Sequence, residues 1–64
     1  MLTGMVKVWN NDKGWGFISG DDGDDYFVNV SNVRSGQRIK IGLKVKFDAA
    51  ETSRGAIAEN VTLY

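Results

Sequence analysis

Residues 13–27 read KGWGFISGDDGDDYF and bring two opposed kinds of chemistry into one short segment. The first half sets aromatic rings between glycines beside a lysine, a composition that suits stacked nucleobases and their phosphates. The second half has four aspartates within five residues, and these would repel a polyanion. The segment raises the hypothesis of a ring-bearing binding surface bordered by an acidic turn.

The composition excludes most catalytic and metal-dependent designs. The 64 residues include no cysteine and no histidine, so disulfides, thiolate zinc sites and the usual general base near neutral pH are absent. The aspartate cluster lacks the ligand spacing of a calcium loop. We therefore expect one small domain, residues 1–64, with no catalytic residues, no metal site and no cofactor; an enzyme is the least favoured reading.

The net charge is zero, but the charges are unevenly distributed along the chain. Residues 1–25 carry two basic and five acidic side chains, residues 26–47 carry five basic and none acidic, and residues 48–64 carry one basic and three acidic. The middle of the chain is therefore a basic block, and a patch of one sign matters more for binding than the total.

Five segments have the composition and alternation of β-strands: residues 5–9, 14–19, 26–30, 43–49 and 56–63. Nothing resembles a long amphipathic helix. Five short strands in a chain of this length are best closed on one another, because closure removes the sheet edges. The sequence predicts an all-β protein, a five-stranded antiparallel OB-fold β-barrel.

Strand alternation places several aromatic side chains on one exposed face. Trp15 and Phe17 point to one side of the second strand, Phe27 joins them from the third, and the Val/Ile positions, Val30 included, form the core. The same alternation puts Trp9 on this face, although a β-bulge would reverse its direction. Lys7 and Lys13 are predicted at the edges of the patch. The alternative is that these rings are simply core.

Two charged segments adjoin the predicted face. Asp22-Gly23 is a favoured two-residue hairpin turn, so the aspartate cluster is interpreted mainly as a structural acidic hairpin. The irregular connection 31–41, which we call the basic loop, has room for one helical turn and carries Arg34, Arg38 and Lys40. We hypothesise that these cations contact phosphates; the alternative is a solvated loop.

Four segments, in order, resemble the bacterial cold-shock protein family over essentially the whole chain. KGWGFI is similar to its first ribonucleoprotein motif, DYFVNV to its second, and MLTGMVKVWNNDKG and RGAIAENV to its opening and closing segments. The resemblance implies an OB barrel that binds single-stranded RNA and DNA and acts as an RNA chaperone and regulator of gene expression under stress. The positions that the resemblance, the face assignment and the basic loop together nominate for nucleic-acid binding are Lys7, Trp9, Asn10, Lys13, Trp15, Phe17, Asp25, Phe27, Asn29, Arg34, Arg38, Lys40 and Arg54.

The chain departs from the family pattern at several stacking positions. Val8 replaces an exposed tryptophan, Asn29 and Val30 replace histidine and an aromatic residue, and the loop 31–41 is about two residues shorter and lacks a phenylalanine. Four lost stacking groups at about 1 kcal/mol each would reduce affinity by roughly three orders of magnitude. Trp15, in place of phenylalanine, offers a larger ring that recovers part of this loss.

The expected partners are single-stranded, pyrimidine-rich RNA and DNA. The chain has no apolar run of the length that a signal peptide or membrane span requires, so we expect a cytoplasmic protein without membrane contact. A monomer is expected, with a strand-exchanged dimer as the alternative. The second function hypothesis is an OB-fold protein-interaction module in which nucleic-acid binding is weakened.

Overall fold

The computed structural model describes all 64 residues and contains five strands and one turn of 3₁₀ helix. The elements in chain order are β1 (Leu2–Asn10), β2 (Trp15–Gly20), β3 (Asp25–Asn29), the 3₁₀ helix (Val30–Asn32), β4 (Lys44–Thr52) and β5 (Gly55–Leu63). All five predicted strands are confirmed, with bounds that differ by up to three residues. The chain forms no helix with the length and apolar character of a membrane span.

The strands form a closed barrel in the order β1-β2-β3-β5-β4. Four of the five neighbouring pairs are antiparallel, whereas β3 and β5 are parallel and meet at Phe27 and Ile57. Strand direction cannot alternate around a ring with an odd number of members, so at least one pair must be parallel. The prediction of an all-β five-stranded barrel is confirmed, and its description as wholly antiparallel is corrected at this pair.

The core is a single cluster of nine buried residues inside the barrel. Its members are mostly the inward positions of alternating strands: Val6, Ile18, Tyr26, Val28, Ile39, Val45, Phe47, Ala58 and Val61. Val30, predicted to belong to this set, is instead 54% exposed. The reason is that β3 ends at Asn29, where the Asn29 side chain accepts a hydrogen bond from Ser31 N and starts the 3₁₀ helix. The strand alternation therefore stops one residue before Val30.

A β-bulge in β1 decides which side chains reach the outer face. The pairing of β1 with β2 shifts between Val6, which lies opposite Ile18, and Val8, which lies opposite Phe17. The extra residue is Lys7. After Lys7, the side chains that simple alternation would place on the outer face of β1 point to the inner face, and the reverse. Next to the bulge, β1 and β2 approach so closely that a Cβ on Gly16 would lie 2.0 Å from the Val8 carbonyl oxygen. Only glycine fits at position 16, which lies opposite Trp9 just beyond the bulge.

The β2–β3 hairpin closes with a three-residue loop, Asp21-Asp22-Gly23, rather than the predicted two-residue turn. Gly20 N donates to Asp24 O, Gly23 N donates to Gly20 O, and Gly23 adopts a φ of 92°. The hairpin is held to the barrel because the Tyr26 hydroxyl donates to an Asp22 carboxylate oxygen while the Tyr26 ring packs against Phe47. The hydrogen bond from Tyr26 lowers the pKa of Asp22. The acidic turn thus has a structural role.

The close approach at Gly16 gives a prediction on stability. Gly16→Ala places a methyl group against the Val8 carbonyl and the Trp9 ring, and the backbone must shift to admit it. We expect the free energy of unfolding to fall by about 1–3 kcal/mol, as for other overpacked sites. Urea unfolding measures the loss. Ser19→Ala, at an exposed position of the same strand, is the control, and equal stability of the two variants would contradict the packing argument.

The Tyr26–Asp22 contact gives a prediction on pH dependence. The hydrogen bond to Asp22, burial and nearby negative charges raise the pKa of Tyr26 to about 12, from 10.0 for a free tyrosine. The folded state therefore keeps this proton longer than the unfolded state. Its contribution to stability is complete below about pH 10 and is lost as the pH rises through about 12.

Urea unfolding of the parent and Tyr26→Phe across about pH 9 to 12 tests this contribution. The stability difference between the two proteins should stay constant up to about pH 10 and then shrink towards pH 12, because the parent loses an advantage that the variant never had. A difference that stays constant from one end of the range to the other would show that Tyr26 does not titrate as the structure requires.

Candidate nucleic-acid interface

Three aromatic rings form one cluster on the outer face of β2 and β3. Trp15 and Phe27 lie nearly parallel, with centroids 6.3 Å apart and planes 21° apart. Phe17 stands steeply to both, 6.1 Å and 85° from Trp15 and 5.7 Å and 74° from Phe27. Phe17 and Phe27 are directly opposite each other across the two strands, so the cluster is fixed by the sheet register. We call these three residues the ring cluster.

The ring cluster is open to solvent. Phe17 is 37% exposed and Phe27 36%, and Trp15 is partly exposed, so the alternative that these rings are core is wrong. Val8, across from Phe17, is 39% exposed and extends the apolar surface onto β1. A group of large apolar side chains exposed at a surface is more often an interaction site than a part of the core packing.

Trp9 does not lie on this face, and its predicted placement there is wrong. The bulge at Lys7 reverses β1, so Trp9 pairs with Gly16 and packs against the core cluster. The glycine opposite leaves room for the indole, whose Cε3 would lie 2.9 Å from a Cβ on Gly16. Trp9 therefore closes one end of the barrel while part of its surface stays accessible.

At the hairpin end of the ring cluster, Lys7 and Asp25 form an ion pair. Lys7 Nζ lies 3.6 Å from Asp25 Oδ2, and both side chains are more than half exposed. Together with Val8 and Phe17 they line a shallow depression of about 200 Å³. An exposed pair of this kind contributes little to stability, about 0–1 kcal/mol, so an incoming phosphate can compete with Asp25 for Lys7.

At the other end of the ring cluster, two asparagines flank Trp15. Asn10 and Asn29 are its partners on the neighbouring strands. Each uses its side-chain oxygen in a local turn: Asn10 Oδ1 accepts from Lys13 N at 3.1 Å, and Asn29 Oδ1 accepts from Ser31 N at 3.0 Å. These bonds fix the loops next to Trp15. Lys13 lies in the first of these loops and is exposed.

Arg54 lies at the tip of the β4–β5 hairpin. Its backbone N–H donates to Thr52 Oγ1 at 3.2 Å and its side chain is exposed. Because β5 runs parallel to β3 with Ile57 next to Phe27, Arg54 lies beyond the hairpin end of the ring cluster. It is the one predicted binding residue that β5 or its hairpin brings towards this face.

The basic loop is anchored but its cations are not neutralised. Ile39 is buried in the core, and Arg34 N donates to Val61 O at 2.9 Å beside the Val33–Val61 bridge. The protein has two ion pairs, Lys7–Asp25 and Lys44–Asp21, so Arg34, Arg38 and Lys40 have no acidic partner. The loop therefore presents positive charge with which an anion can pair. Arg38 and Lys40 lie on either side of buried Ile39, whereas Arg34 follows the Val33–Val61 bridge.

Arg38 and Lys40 border a groove that sequence reasoning missed. The groove has a volume of about 620 Å³ and runs between Trp9 and residues 37–41, with Val30 and Val33 as apolar walls. The bulge and the early end of β3 create it, because they turn Trp9 inwards and Val30 outwards. The one sequence signal was Val30, a small apolar residue at a position where the resemblance leads one to expect an aromatic ring.

Comparison with known proteins supports the same interpretation. The model of the "cold-shock" DNA-binding domain family matches residues 2–64. The chain is 44% identical over 63 residues to Cold shock protein 1 of Lactiplantibacillus plantarum, covering 95% of this chain and 96% of the relative. It is 44% identical to Cold shock protein CspC of Bacillus subtilis, with the same coverage, and 45% identical over 65 residues to Cold shock-like protein CspLB of Listeria monocytogenes, covering 97% of each.

Proposed function

The chain belongs to the family of "cold-shock" DNA-binding domains, and we propose that it binds single-stranded RNA and DNA by stacking bases on the ring cluster. In this role it acts as an RNA chaperone. The observation that carries the proposal is the exposed ring cluster of Trp15, Phe17 and Phe27 on adjacent strands. Stacking on such rings contributes about 1–3 kcal/mol per base.

The ring angles favour single strands over duplexes. Phe17 is inclined by 85° and 74° to its two neighbours, so bases stacked on all three rings cannot be parallel to one another. Bases in a double helix are parallel, whereas a single strand can turn its bases independently. A strand that fits the ring cluster must therefore be unpaired and unstacked.

The spacing of the rings favours pyrimidines. The centroids are 5.7 to 6.3 Å apart, about the width available to one six-membered ring at each position. A fused bicyclic base on one ring would overlap its neighbour. Because stacking alone does not read the hydrogen-bonding groups of a base, the protein prefers pyrimidines but does not require a particular sequence.

Chaperone action follows from binding one form of an RNA and not the other. A ligand that binds only the unpaired form shifts a hairpin equilibrium towards that form by its differential affinity. The closed barrel has no free sheet edge for strand addition, which is consistent with action as a monomer.

The first prediction of this proposal concerns the rings. Phe17→Ala and Phe27→Ala should each weaken hexathymidine binding by about 1–3 kcal/mol, because each removes one stacking surface. Titration followed by tryptophan fluorescence measures the loss. Leu63→Ala is the matched control, since Leu63 is 38% exposed on β5 away from the ring cluster and should leave affinity unchanged. Full affinity in both folded phenylalanine variants would exclude the ring cluster as the base-binding site.

The second prediction concerns the basic loop. If Arg34, Arg38 and Lys40 each neutralise one phosphate, replacing all three with glutamine should flatten the slope of log K against log salt by about 2, at roughly 0.7 per contact. Affinity should fall similarly for every base sequence, since phosphate contacts carry no sequence information. Phe27→Ala should lower affinity and leave the slope nearly intact.

Lys46→Gln provides the control for the loop variant, because Lys46 is an exposed cation of β4 with no acidic partner. It should change neither slope nor affinity. A loop variant with the parental salt slope would mean that these three cations are a solvated surface and that the rings hold the strand almost alone.

A further inference from the structure

The middle of the basic loop has few bonds to the rest of the protein. After Arg34, whose N–H donates to Val61 O at 2.9 Å, no backbone N–H donates a hydrogen bond until Gly42. Two side chains hold the residues between: Ile39 is buried in the core, and Gln37 is half-buried. The position of this stretch therefore depends on one hydrophobic anchor and on the contact that Gln37 makes.

Gln37 makes its contact with the end of β5. Its side-chain Oε1 accepts a hydrogen bond from Leu63 N at 2.6 Å. Leu63 N–H points away from β4, because the next residue, Tyr64, donates its own N–H to Lys44 O, and bonded and non-bonded positions alternate along an antiparallel ladder. Gln37 thus satisfies an N–H that the ladder with β4 does not use.

The side chain of Gln37 takes the place of a strand carbonyl. Along the other edge of β5, the Val33–Val61 bridge is parallel. If that ladder continued, a backbone carbonyl of the loop would accept from Leu63 N. The chain instead turns at Gly36, with a φ of 83°, and the Gln37 side chain supplies the acceptor. The hydrogen bond therefore fixes the loop to β5 just where the backbone ladder ends.

We propose that Gln37 is a positioning residue for the basic loop. Its hydrogen bond with Leu63 N holds Arg38 and Lys40, which flank buried Ile39, in one arrangement before a nucleic-acid strand arrives. A loop that is already ordered loses little freedom on binding, so more of its interaction free energy with phosphates appears as affinity. This inference rests on the proposed function, in which these two cations contact phosphates.

Two variants remove the hydrogen bond from opposite sides. Gln37→Met keeps the length of the side chain without the carbonyl acceptor, and Leu63→Pro removes the N–H at a position that does not donate to β4. Each should weaken hexathymidine binding about three- to tenfold at moderate salt, because the loop must now be ordered on binding. The double variant should bind no more weakly than the weaker single variant, since both changes break the same bond.

NMR relaxation of the free protein tests the order of the loop directly. The order parameters of the Arg38 and Lys40 N–H groups should fall from about 0.85 in the parent towards about 0.6 in Gln37→Met. Gln37→Glu keeps a side-chain oxygen acceptor and should restore the parental order. Ser35→Ala, at an exposed position of the loop, and Leu63→Ala, which keeps its N–H, are the controls and should change neither order nor affinity.

A protein without the loop cations separates positioning from a purely structural role. When Arg34, Arg38 and Lys40 are all replaced by glutamine, adding Gln37→Met should leave hexathymidine affinity within about twofold, because no charge remains to be positioned. In the parental background the same substitution should lower affinity and leave the slope of log K against log salt unchanged, because the cations still reach the phosphates.

The outcomes separate this inference from the proposed function. Parental affinity or parental order in both Gln37→Met and Leu63→Pro would overturn it. An equal loss of affinity with and without the three cations would overturn it too, because Gln37 would then act on the fold itself. If the triple glutamine variant binds like the parent, the loop contacts no phosphate and Gln37 has nothing to position. The rings are tested separately by Phe17→Ala and Phe27→Ala, so the two proposals can fail independently.

Discussion

The contact between the β1 bulge and Gly16 determines the arrangement of the whole binding face. Because the Val8 carbonyl occupies the space that a side chain on Gly16 would need, β1 can approach β2 only at a glycine. The bulge at Lys7 then turns Val8 outwards beside Phe17 and Trp9 inwards against the core. One local irregularity thus sets the width of the apolar face, closes the end of the barrel and opens the groove beside Trp9.

Charge is organised around that face in a way that the net charge of zero conceals. The aspartates of the β2–β3 hairpin are used within the fold: Asp22 accepts from Tyr26, Asp21 accepts from Thr3 and pairs with Lys44, and Asp25 pairs with Lys7. The basic loop has no such partners. Three of the four aspartates of the β2–β3 hairpin therefore have partners within the fold, whereas the cations of the basic loop remain free for an anion.

Local patterns predicted the strands and most of the core, because alternation of apolar and polar side chains is a direct record of which face is buried. They placed Trp15, Phe17 and Phe27 together correctly. They failed at two places where the regular alternation of a strand is interrupted. The bulge in β1 reversed the direction of Trp9, and the cap at Asn29 ended β3 before Val30. A single parallel pair was in principle predictable, since it follows from an odd number of strands. The groove was not, because it depends on Trp9, Val30 and residues 37–41 meeting from distant parts of the chain.

The ring cluster also indicates what strength of binding the protein can reach. Three stacked bases at about 1–3 kcal/mol each supply roughly 3–9 kcal/mol of gross interaction free energy, from which the cost of association must be subtracted. In the proposed role of an RNA chaperone the protein has to release its RNA, so binding in the middle of that range is adequate and tighter binding would slow turnover. Extra rings at Val8, Asn29 and Val30 would tighten binding at every sequence. Free cations beside an apolar groove instead add an interaction that weakens as salt rises, so the same compact barrel can hold a strand without retaining it.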